Sequence, residues 1–201
     1  MRRSTVTLLA CALAAALVAT ASAAVRFERH AIPGQALSLA VPAPWVAVDA
    51  SLPPATIAKL SRDNPKLAPY LGQLSGAGSA AKFLALDPAV KSGFATNVNV
   101  VVAPIPTVTF DQYRAAIVAE IQRIAGSAKV THRAVTIDGV RGVRLAYPFR
   151  ITVGRTYTVS TLQYAFPRRG KSVVVTYTTL PRLQKSYAQT FARSAASIRF
   201  G

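Results

Sequence analysis

The chain has 201 residues, with 24 Lys+Arg against 7 Asp+Glu and a formal net charge of +17. A single cysteine and two histidines exclude a disulfide framework and offer too few ligands for a metal centre, so neither a metal nor another cofactor is expected. Seventeen of the basic residues are arginine, giving a field that attracts anionic surfaces and supports solubility without specifying a partner.

Arg2 and Arg3 precede an apolar run from Val6 to Val18, and Ala21-Ser22-Ala23 supplies a small-residue cleavage pattern. Residues 1–23 are therefore expected to be a signal peptide and 24–201 a single exported domain, placed in the cell envelope or secreted. The run is shorter than the ~20 apolar residues that span a bilayer, and no other stretch is longer. No transmembrane segment is expected in the mature chain. Leu8-Leu9-Ala10-Cys11 loosely matches a lipoprotein box. Cleavage after Ala23 would discard Cys11, however, which argues against lipid anchoring and removes thiol chemistry. Without Arg2 and Arg3 the net charge is +15, from 22 basic residues against 7 acidic ones. A domain of this length buries roughly 70% of its unfolded surface, enough for a core without staples.

Val25 to Gly34 reads as a short leader containing His30. Ala36 to Val41 alternates Leu37, Leu39 and Val41, a half-buried strand. Trp45 follows a proline break and is assigned to packing, the usual contribution of a large ring. Pro53-Pro54 opens a helix, and Asp63-Asn64-Pro65 signals a second start followed by Leu67, Leu71 and Leu74 at helical spacing. Gly76-Ala77-Gly78 ends it. Strands are expected at Ala81 to Leu86 and at Phe94 to Val102, where Phe94, Thr96, Val98, Val100 and Val102 share a face. Asn97 and Asn99 mark the opposite face as wet or at an edge.

Thr109-Phe110-Asp111-Gln112 fits a capping box, and Phe110, Tyr113, Ile117, Ile121 and Ile124 then form a core-facing stripe ending near Gly126. The next stretch, Ala128 to Leu180, reads as four consecutive strands. Asp138-Gly139 predicts a two-residue type I′ hairpin, which pairs Ile137 with Val140 and fixes the register. It places His132 opposite Leu145 and Ala134 opposite Val143 on an apolar face. Arg133 then lies opposite Arg144 on the other face, and Arg141 lies nearby on the apolar side.

A second hairpin is expected to turn over four residues, Pro167-Arg168-Arg169-Gly170, pairing Phe166 with Lys171 and Tyr164 with Val173. Thr161, Gln163, Thr176 and Thr178 share its polar face, and the threonines read as solvent-facing strand positions. A last amphipathic helix, about Arg182 to Ala196, carries Leu183, Tyr187 and Phe191, and Ile198 and Phe200 alternate as an extended tail. Hairpin-joined strands grouped with a few helices predict an α+β fold with a central antiparallel sheet of about six or seven strands flanked by helices.

The order of LSLAVPAPWVAV, FATNVNVVVAP, the helix opened by TFDQY, the TIDGVRGVRLAY hairpin and a C-terminal helix ending in SIRF resembles the PsbP-like fold. Within it, the pattern is similar to the exported actinobacterial LpqN-type envelope proteins. The resemblance covers nearly the whole mature chain. It implies a sheet flanked by helices and a binding or accessory role rather than catalysis. LpqN-type proteins are usually lipoproteins, and this sequence departs there.

No G-x-S-x-G elbow, H-E-x-x-H or P-loop is present. His132 is the one candidate general base of an envelope hydrolase or transferase, but its place beside Leu145 favours a buried or rim histidine. The anion- or membrane-binding candidates are Arg133 with Arg144, and the hairpin tip Arg168, Arg169 and Lys171. Opposed like charges destabilise a strand pair unless something anionic bridges them, and exposed cations at a tip suit anionic headgroups. The expected partners are an anionic envelope polymer, a lipid or a membrane-associated protein. A purely protein-binding module is the alternative. Nucleic acid is not expected, because no recognition helix or aromatic RNA-binding motif is present.

Overall fold

The computed structural model of the chain describes residues 25–71 and 81–201. The expected signal peptide with Cys11, and Leu74 and Gly76–Gly78 of the second helical stretch, lie outside the described residues. Ten strands and four α-helices are described: β1 (Phe27–Ala31), β2 (Leu37–Pro42), β3 (Val46–Asp49), α1 (Pro54–Asp63), α2 (Ala68–Leu71), β4 (Ala81–Leu86), β5 (Asn97–Pro104) and α3 (Phe110–Ala125). After them come β6 (Thr131–Ile137), β7 (Val140–Val153), β8 (Arg155–Arg168), β9 (Lys171–Thr179), α4 (Gln184–Ala196) and β10 (Arg199–Phe200). A 3-10 turn, Pro181–Leu183, leads into α4.

Seven strands form one antiparallel sheet in the order β3-β4-β5-β9-β8-β7-β6, and β1-β2-β10 form a second, smaller one. The α+β expectation holds in architecture and in strand number. The Val25–Gly34 stretch is not a free leader, because Phe27 to Ala31 pair along β2. The C-terminal tail closes the same small sheet from the other side, with Phe200 opposite Leu37.

One face of the large sheet is sealed by α4 and the small sheet. Tyr164, Phe166, Val173, Val175 and Tyr177 meet Phe191, Ile198 and Leu39 in the largest core cluster. Gly142 is required here: a Cβ at this position would come within 2.4 Å of the Phe166 ring and 2.8 Å of the Ala165 carbonyl. The absent side chain lets Phe166 lie across β7.

The other face is covered twice, at opposite ends of the strands. Tyr113 and Ile121 of α3 pack on Val143, Leu145 and Ala165. Ile57 of α1 and Leu71 of α2 pack with Leu84, Leu86 and Phe94. The α3 start is built as its sequence dictates: the Thr109 amide donates to Gln112 Oε1 at 2.9 Å, the Gln112 amide donates to Thr109 Oγ1 at 3.3 Å, and Gly126 takes φ 60° beyond the last turn. Ile124 is a correction to the expected stripe, since it is exposed and Ala125 packs instead.

The Asp138-Gly139 turn has φ of 50° and 73°, and its register is as expected, including His132 with Leu145 and Arg133 with Arg144. The second hairpin differs. Its loop is the two residues Arg169-Gly170, with φ of 48° and 70°, so Arg168 pairs with Lys171 and Phe166 with Val173. A two-residue turn with positive φ at both positions matches the twist of long strands better than a four-residue loop. The slip is by two residues, so every side chain keeps its expected face. Along β5, Val98 and Val100 share the α4 side, whereas Phe94 precedes the strand and packs under α1 and α2. Asn97 and Asn99 are not at an edge, because β5 lies between β4 and β9.

Candidate functional site

Between the two helical covers, the described residues enclose a cavity of about 370 Å³ over the middle of the sheet. That lies near the lower end of the size range for small-ligand sites, about 300–1,000 Å³. Three central strands supply its floor: Asn97 and Asn99 from β5, Thr176 and Thr178 from β9, and Thr161 and Gln163 from β8. Leu84 from β4, Tyr70 from α2, and Tyr147, Phe149, Ile151 and Val153 in alternation along β7 supply apolar wall. The alternation is a consequence of the strand's two-residue period, which aims every second β7 side chain at the same space.

No charged residue is among the cavity's described lining residues. Tyr147 donates to Gln163 Oε1 at 2.7 Å, and Asn97 Nδ2 donates to the Ala95 carbonyl at 3.0 Å. Burial pushes the Tyr147 phenol up to about 12, so it stays protonated at any physiological pH. No fully buried side-chain nitrogen or oxygen among the described residues lacks a partner. The array therefore offers neutral donors and acceptors beside aromatic and aliphatic surface, without a nucleophile–base pair.

This site was missed from sequence, where the same threonines read as solvent-facing. Thr161, Gln163 and Thr178 are in fact buried. The available signal was Asn97, Asn99 and Gln163 inside long strands, since asparagine is depleted in strands unless something besides the ladder holds it.

The sequence candidates are distributed over two places. Arg133 and Arg144 come together on the α4 side, where they line a second, smaller cleft of about 240 Å³. Leu162 and Tyr164 from β8 and Gln184, Ala188, Phe191 and Ala192 from α4 complete most of its wall. Arg168, Arg169 and Lys171 are at the far end of the β8–β9 hairpin. Arg168 donates to the Gly201 carbonyl oxygen at 2.6 Å and lies over the Phe200 ring, and Lys171 donates to Gln35 Oε1 at 3.2 Å. Two of the three tip cations thus pin the C-terminus and the β1–β2 loop, and Arg169 alone stands at the exposed turn. Arg141 stacks on Phe110 of α3, with 4.1 Å from the guanidinium to the ring centroid.

His132 is exposed, not buried or at a core rim, because β6 is the sheet's edge strand and α3 packs further in, over β7 and β8. His30 sits half-buried on β1, 5.5 Å from the Phe83 ring. The two histidines do not converge. Among the described residues no group of three or more His, Cys, Asp or Glu could hold a metal ion. No described helix is long and apolar enough to cross a membrane.

No protein-family model matches the chain, and neither does any curated protein. Solved structures do. The solution structure of cyanobacterial PsbP (CyanoP) from Synechocystis sp. PCC 6803 matches with a TM-score of 0.53 at 16% identity, over 90% of this chain and 96% of that one. The crystal structure of LpqN, involved in cell envelope biogenesis of Mycobacterium tuberculosis, matches with a TM-score of 0.53 at 12% identity, over 86% and 90% of the two chains. At these identities the likeness speaks for architecture. With its seven-stranded antiparallel sheet, flanking helices and near-complete overlap, the chain has the PsbP-like fold that CyanoP and LpqN share.

Proposed function

We propose that this chain is a non-enzymatic binding or accessory protein of the bacterial envelope, and that the uncharged cavity on the α3 side of the sheet receives its ligand. One observation carries the reading: the cavity is built from neutral hydrogen-bonding groups and apolar wall, with no His, Asp, Glu, Lys, Arg or Cys among its described lining residues. Sites of that make-up hold a molecule in a fixed orientation, and the Tyr147 phenol, kept protonated by burial and donating to Gln163, is not a base at physiological pH. The ligand class that fits is the neutral, hydroxyl- or amide-bearing part of a lipidic envelope component. The sequence's export signal and its similarity in fold to an envelope protein support the location.

Titration with octyl glucoside, a neutral hydroxyl-rich amphiphile, followed by amide chemical shifts, tests the reading. Shifts are expected at Asn99, Thr161, Gln163 and Thr176, with binding weakened at least tenfold by Thr176→Phe, which fills the floor. Shifts confined to other surfaces, or unchanged affinity in Thr176→Phe, would remove the cavity as the ligand site. Turnover of an ester or glycoside panel that depends on a cavity residue would overturn the non-enzymatic assignment.

A further inference from the structure

The α4-side cleft has a different chemistry, set by a shortage of acidic residues across the whole sequence. The chain has seven acidic residues. Glu28 pairs with Arg26, Asp63 with Lys59, Asp111 with Arg114, Glu120 with Arg123 and Asp138 with Arg199. Asp87 accepts from the Tyr187 phenol, and Asp49 accepts from Ser51. None of the seven is left for Arg133 or Arg144. Helix α4, which forms one wall of the cleft, carries Lys185 and Arg193 and no acidic residue at all.

Arg133 and Arg144 are directly opposed in the β6–β7 register. Opposed like charges raise the energy of a strand pair, and an oxyanion placed between two guanidinium groups reverses the sign, accepting paired hydrogen bonds from each planar fork. Beside the pair the wall turns apolar along Leu162, Ala188 and Phe191. We infer that this cleft binds the oxyanion head of a single-chain amphiphile, a phosphate or carboxylate held between Arg133 and Arg144 with its hydrocarbon chain against Leu162, Ala188 and Phe191. The site lies on the opposite face of the sheet from the neutral cavity, and it stands or falls independently of it.

Octyl phosphate below its critical micelle concentration is the probe, with inorganic phosphate as the headgroup-only arm. Affinity is measured by calorimetry, and arginine side-chain Nε shifts locate the contact. Octyl phosphate is expected to bind at least tenfold more tightly than inorganic phosphate and to shift Arg133 and Arg144. Arg133→Gln and Arg144→Gln should each weaken it about tenfold, while Arg62→Gln, exposed on α1 over the other face of the sheet, changes it less than twofold. Equal binding of the two probes would remove the apolar half of the site. Wild-type affinity in the Arg133→Gln/Arg144→Gln double variant, or an equal loss in Arg62→Gln, would show a diffuse basic surface and overturn the proposal. Both arginines have solvent-accessible side chains, and circular dichroism verifies that the variants fold.

Discussion

The two faces of the seven-stranded sheet are built from the same strands and reach opposite solutions. On the α4 side, one helix and the small sheet seal almost everything, and Phe166, Val175 and Tyr177 sit in a continuous core. Among the clefts left there is one at the β6–β7 end, with Arg133 and Arg144 in its lining and no acidic residue beside them. On the α3 side, two separate helical covers leave a cavity over the middle of the sheet among the described residues, and its floor is neutral and polar. The difference teaches that a covering element decides chemistry as much as the strand residues do. A single acidic residue on α4 facing the cleft would close the arginine pair as a structural ion pair.

The sharpest way to break this comparison is on the sealed face. Phe166→Ala removes a fully buried ring over Gly142 and should cost ~3–5 kcal/mol in urea denaturation. Phe149→Ala, on the half-buried cavity wall, should cost far less. Equal losses would mean that the cavity is as tightly packed as the core. Gly142→Ala comes next, because its methyl has no room beside Phe166 and the Ala165 carbonyl, and overpacking of this kind costs ~1–3 kcal/mol. On the open face, Tyr147→Phe leaves Gln163 Oε1 without its donor and should cost ~1–2 kcal/mol.

The same phenol gives a pH test. Its pKa is raised by burial to about 12 from the ordinary 10.0, so the folded state holds the proton more tightly than the unfolded state. That contribution is fully present below pH 10 and is lost as pH rises through about 12. Tyr147→Phe should therefore flatten part of the alkaline stability loss, measured by thermal melts between pH 9 and 12. Smallest of all is Arg144→Gln, which in anion-free, low-salt buffer should leave stability unchanged or raise it by a few tenths of a kcal/mol as the opposed charges are relieved. A clear destabilisation would show that the guanidinium holds the sheet together instead of standing ready for an anion.

Local chemistry made much of this molecule legible in advance. The Asp138-Gly139 turn demanded positive φ at both residues and so set the β6–β7 register, which alone brought Arg133 and Arg144 together. Thr109 and Gln112 could only satisfy the first amides of a helix in one way. The alternation of β8 and β9 assigned their side chains to the right faces even though the turn between them was read two residues too long. These are interactions among residues close in sequence, or repeats with a fixed period, and they need no knowledge of the fold.

What lies over each face was not legible, because it depends on elements distant in the chain. His132 has the neighbours of a core residue in its own hairpin, yet it is exposed because no helix reaches over the edge strand. Thr161, Gln163 and Thr178 alternate as surface residues do, yet they are buried as the floor of a cavity because α3 and α1–α2 close around them from either end. Hairpin geometry and helix caps were thus determined by the sequence itself, through short-range hydrogen bonds and backbone sterics. The two candidate sites were decided by the tertiary structure, since a polar strand residue is solvent surface, a cavity floor or a cleft beside paired arginines according to which helix packs beside it and what charge that helix carries.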